Sequence, residues 1–227
     1  MDFKNAIELL ELCKKHDLPI SEVMRQREIV EGEKEADTVH DAMARVLEIM
    51  KNAAFTPIKE PVRSMGGLIG GEAKKIASRY HSGNGICGDL LEKSMIYAMA
   101  TLETNASMGL IMASPTAGSA GIVPGLLLGL QEVHKFDDEQ IIQALFNASA
   151  IGYLAMRNAT IAGAAGVANA IIAAEISLSG IRQLIPFDEM LNAMYIVGKR
   201  LPAELRETAQ GGCAATPSAC AACGGCA

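Results

Sequence analysis

The chain has 227 residues, half of them hydrophobic, with 22 glycines, no tryptophan and 4 % aromatics, so its core must be aliphatic and closely packed. A mean hydropathy of +0.21 with 20 % charged residues excludes a disordered chain. A net charge of −6 argues against a nucleic-acid surface, and acidic and basic residues in the first turns leave no apolar region for a secretory signal. The expected compartment is the cytoplasm.

In chain order, residues 3–16 carry Ile7 and Leu10 at helical spacing, and Asp17-Leu18-Pro19 ends that helix. A second helix is expected to start with Ser21 as N-cap and to run to about Asn52, broken near Gly32. Its apolar positions Val39, Met43, Val46, Leu47 and Met50 follow the 3–4 spacing of an amphipathic face. Residues 54–65, with Pro57 and Pro61, read as a connector. A glycine loop at 66–71 opens into a helix over 72–80, and Ser82-Gly83-Asn84-Gly85 is a turn. A long helix is expected over 89–113, a loop over 114–120, and further helices near 122–133, 137–156, 166–179 and 187–199. No segment alternates as a strand would. The pattern predicts an all-α protein: a helical domain over 1–210 with Gly-rich loops, followed by a Cys-rich tail at 211–227. Residues 104–131 lack charge, but Pro115, Pro124 and several glycines dilute their hydrophobicity, which suits buried helices better than a membrane span.

Residues 83–88 match G-x-G-x-x-G, but a basic helical segment precedes them where a dinucleotide site needs a strand. Residues 115–121, PTAGSAG, leave backbone uncovered, supply the Thr116 and Ser119 hydroxyls and lead into a helix N-terminus. The 66–71 loop has the same logic. Each loop is either a carboxylate or phosphate cradle or an ordinary helix–helix turn. His16, His40, His81 and His134 lack metal spacing and read as surface residues, while Met95, Met99, Met108 and Met112 read as core filling. Cys213, Cys220, Cys223 and Cys226 have spacing compatible with a shared iron–sulfur cluster or one zinc, or they form a tail whose thiols merely oxidise.

Three segments carry a resemblance: MGGLIGGEAKKI (65–76), NASMGLIMASPTAGSAGIVPG (105–125), and residues 187–226 ending in CAATPSACAACGGC. Together they resemble the α chain of iron–sulfur L-serine dehydratases of the two-subunit type, in the family's order and over nearly the whole chain. The resemblance implies a helical enzyme that converts L-serine to pyruvate and ammonia with a [4Fe-4S] cluster and no pyridoxal phosphate. The cluster's open iron would act as a Lewis acid on the substrate β-hydroxyl. It also implies a separate β subunit as partner and an oligomeric assembly. Ser64, Gly66, Gly67, Thr116, Gly118, Ser119 and Asn158 are the expected substrate-binding positions, and no catalytic base is assigned. Cys220, Cys223 and Cys226 are the candidate metal ligands, and Cys226 is also placed to cap an open iron.

The resemblance breaks near Ala164–Ala165. In the family a motif like NATISGA leads into Gly-Gly-Cys-Gln and then a helical stretch with two further cysteines. Here NATIAGA (158–164) runs directly into AGVANA (165–170). The family's three cluster cysteines fall in the segment this chain lacks. Three readings follow: a catalytically inactive, internally deleted subunit that binds a β partner or a metal, a cluster moved to the tail, or a natural polypeptide longer than this chain.

Overall fold

A computed structural model describes residues 1–114 and 120–158. Among them every regular element is helical: α1 (Ala6–His16), α2 (Ile20–Glu31), α3 (Ala36–Lys59), α4 (Glu72–Arg79), α5 (Asp89–Ala106), α6 (Ile122–His134) and α7 (Asp138–Asn158). A π-helical turn, Tyr80–Asn84, closes α4. This is the all-α architecture expected from the pattern. No described helix is long and apolar enough to cross a membrane. The helices expected beyond residue 158 lie outside the described residues.

The local signals act as their chemistry requires. Asn5 caps α1 by accepting the Glu8 amide at 3.0 Å, and the helix closes at Asp17 in the left-handed region, with Lys14, Lys15 and His16 at its negative end. The break at Gly32 separates α2 from α3. Ser21 is not the N-cap of α2; it is buried inside the helix. Pro19 starts that helix instead, because its carbonyl accepts the amides of Glu22 and Val23, each at 3.1 Å.

Two helix ends differ from expectation. α3 continues through Pro57 to Lys59, where a connector was predicted. Proline lacks the N–H that would bond the Ala53 carbonyl, and Thr104 Oγ1 of α5 donates to that carbonyl at 2.9 Å instead. α5 stops at Ala106 rather than near 113. Met108 takes φ 64° and the Gly109 amide turns back to the Thr104 carbonyl at 2.8 Å. Met108 is therefore exposed and drops out of the methionine stripe, while Met95 and Met99 stay half-buried.

α5 and α6 form the closest pair. Gly121, Gly125 and Gly129 recur every fourth residue on the face of α6 that meets Ser94 and Ala98. A Cβ at Gly125 would sit 2.8 Å from both the Ser94 carbonyl oxygen and the Ala98 Cβ, so the two backbones pack as only glycine permits. The charged N-terminal third joins the same core. Phe3 stacks edge-on against Tyr153 of α7 at 5.3 Å, and Leu9, Val23, Leu47, Leu127 and Ile141 belong to one apolar cluster. At the other end of α7, Lys51 pairs with Asp138, and His40 Nε2 lies 2.9 Å from Glu139 Oε2.

Gly125→Ala is expected to cost about 1–3 kcal/mol by overpacking, read as a lower urea midpoint with an unchanged slope. The hydrogen bond with Glu139 raises the His40 pKa above its usual 6.5. The stabilisation is thus full below that value and fades as pH rises through the folded-state pKa. His40→Gln should therefore lower the urea midpoint more at about pH 5.5 than at about pH 8.5.

Candidate functional site

The glycine loop closes on itself before α4 begins. The Ser64 amide donates to the Ile69 carbonyl at 2.8 Å, and the Gly67 amide donates to the Ser64 carbonyl at 2.9 Å. Ser64 Oγ accepts the Ile69 amide at 3.1 Å, which leaves its own hydroxyl proton to donate elsewhere. Gly67 serves the turn through a φ of 70°, while Gly66 is exposed with open space around it. The amides of Gly66 and Leu68 take no partner among the described residues. Gly70 is required at its position: with φ 144°, a Cβ would fall 2.2 Å from the Val62 carbonyl oxygen.

The start of α4 carries free amides and a positive dipole end, which suits an anion. Glu103 of α5 already supplies that anion. It is 2 % exposed, and its two carboxylate oxygens accept the Gly71 amide at 3.0 Å and the Ala73 amide at 2.8 Å. Glu72 accepts the Gly70 amide at 2.6 Å, a hydrogen bond that holds its carboxyl below the usual range, and its side chain meets that of Glu103. The donors of this loop that stay open among the described residues therefore lie on the outer turn, at Ser64 Oγ and the Gly66 and Leu68 amides, rather than at the Gly71 and Ala73 amides of the helix start.

A second buried carboxylate repeats the device. Glu92, 6 % exposed, accepts the amides of Ile86 and Cys87 at 2.8 and 3.2 Å and holds the loop after the π turn. That loop follows a helical segment, so residues 83–88 do not form a dinucleotide turn. Sequence reading missed both glutamates. The available signal was two acidic residues about three turns apart in a helix otherwise rich in apolar positions.

The structure brings Ser64, Gly66 and Gly67 together in one closed turn, which leads through Gly70 into the Gly71 amide that Glu103 of α5 holds. Thr116, Gly118 and Ser119 lie outside the described residues, as do Cys220, Cys223 and Cys226. Asn158 ends α7, and its side chain is likewise outside. Among the described residues no three His, Cys, Asp or Glu side chains gather to hold a metal. Their two thiols are Cys87, exposed, and Cys13, half-buried with its pKa pushed up by burial, the opposite of a thiolate ligand. These residues do not form an iron–sulfur site.

The fold and loop define an all-helical domain with a glycine-rich turn held rigidly at one end of its central helix. The chain belongs to the serine dehydratase alpha chain family, whose model matches residues 15–168 and 164–214. It is similar to a probable L-serine dehydratase alpha chain of Bacillus subtilis, 34 % identical over 278 residues, covering 95 % of this chain and 92 % of that protein. The L-serine dehydratase alpha chain of Peptoniphilus asaccharolyticus is 28 % identical over 92 % of this chain and 93 % of its own length. An L-serine dehydratase of Helicobacter pylori is 33 % identical over 72 % of this chain but 36 % of that protein.

Gly70→Ala should cost more than about 2 kcal/mol, since both its φ and its space exclude a side chain. Gly66→Ala should change stability by less than about 0.5 kcal/mol. Urea unfolding of the two variants checks the contrast.

Proposed function

We propose that this chain is the α chain of a two-subunit L-serine dehydratase, a cytoplasmic lyase of serine catabolism that eliminates water from L-serine to give pyruvate and ammonia. The observation that carries the reading is the match to alpha chains across 95 % of the chain, with a family match that takes in the glycine loop. In this reading the L-serine carboxylate lies on the outer face of the 64–69 turn. Ser64 donates its hydroxyl proton, the Gly66 amide adds a second donor, and Gly67 supplies the bend. Thr116, Gly118, Ser119 and Asn158 complete the cradle. A [4Fe-4S] cluster, when bound, supplies Lewis acidity to the leaving hydroxyl. Its tail ligands in this chain would be Cys220, Cys223 and Cys226.

A second reading has specific support. The family match falls into two stretches that meet at residues 164–168. An alignment of 278 residues is longer than the chain of 227, so it contains gaps in this chain. Both observations favour an internal deletion where NATIAGA meets AGVANA. A chain so shortened would be a non-catalytic helical subunit that binds a β partner or a metal through its tail.

Anaerobic reconstitution with iron and sulfide, followed by a pyruvate assay with L-serine, separates the two. Turnover is the expected result for the enzyme; iron uptake without pyruvate supports the shortened subunit. Changing Cys220, Cys223 and Cys226 together to Ser should abolish iron uptake, and unchanged uptake overturns the tail-ligand assignment. An intact mass of 23.9 kDa is expected for the deleted chain, and a substantially larger mass would overturn the deletion.

A further inference from the structure

We infer that Glu103 is a positioning residue for substrate: from α5 it sets the geometry of the turn that takes the L-serine carboxylate. The inference rests on the reading of the 64–69 turn as the substrate cradle. Glu103 is buried, and both of its oxygens are used, one on Gly71 and one on Ala73. A buried carboxylate with both oxygens satisfied has little freedom to move, because any displacement leaves a charge without donors. The turn beyond it is closed by its own hydrogen bonds between Ser64 and Ile69 and is joined to this anchor through Gly70 and Gly71. A shift at Gly71 is therefore carried to Ser64 Oγ. The same carboxylate occupies the Gly71 and Ala73 amides at the start of α4 and so closes those donors to a second anion. Glu103 thus steers the substrate by holding the outer donors in place and by closing the inner ones.

Glu92 provides the internal control. It too is buried on α5 and holds two loop amides, but those belong to Ile86 and Cys87, on the far side of α4. In the reconstituted protein, Glu103→Gln should raise KM for L-serine about tenfold or more while kcat changes less than about threefold, as loss of a charged hydrogen-bond acceptor at a binding turn predicts. Calorimetric titration with L-serine should show the same weakening in Kd. Glu92→Gln should lower the urea midpoint by a similar amount yet leave KM and Kd where they were. An unchanged KM and Kd in Glu103→Gln, or an equal rise in Glu92→Gln, would reduce Glu103 to a purely structural group and overturn the inference. Wild-type protein that neither turns over nor binds L-serine would overturn the substrate reading itself, and the inference with it.

Discussion

Glu103 and Glu92, about three helical turns apart on one face of α5, are the constraint around which α4 and the loops on either side of it are organised. Each takes a carboxylate out of water, a change that costs several kcal/mol unless donors replace the lost hydration. Each finds those donors in the backbone of a loop next to α4: Gly71 and Ala73 for Glu103, Ile86 and Cys87 for Glu92. The loops gain partners for amides they could not pair internally, and the carboxylates gain fixed dipoles. Together they tie down the chain before and after α4 and its π turn, a helix only eight residues long.

α5 can serve as this anchor because it is itself fixed on its other sides. The glycines of α6 bring the α6 backbone against Ser94 and Ala98. Thr104, the residue after Glu103, donates to the carbonyl that Pro57 leaves open in α3. The proline that looked like a helix breaker is accommodated by a hydroxyl from another helix. That bond also fixes the end of α5 from which the second expected substrate loop departs.

Much of the fold was legible in the amino-acid pattern, because helical periodicity is local. The starts of α4, α5 and α6 and the break at Gly32 follow from glycine, proline and apolar spacing within a few residues. The glycine loop was legible for the same reason: Gly67 and Gly70 occupy backbone conformations that side chains resist. The errors share a different cause. Ser21 as N-cap, the connector over 54–65 and the overlong α5 each depended on which group answers a backbone amide or carbonyl. In two cases that group comes from the neighbouring chain turn, and for Ala53 it comes from another helix.

The candidate site divides along the same line. Sequence alone determined the family, the helical class and the presence of a small-residue turn before α4, since these depend on residue identity and spacing along one stretch of chain. Tertiary structure alone decided that the anion-binding start of α4 is already filled, so that only the outer face of the turn is open. That outcome required Glu103, some thirty residues further along, to be packed within 3.0 Å of Gly71. No periodicity encodes it, because a hydrogen bond between distant residues exists only once the helices carrying them have been brought together.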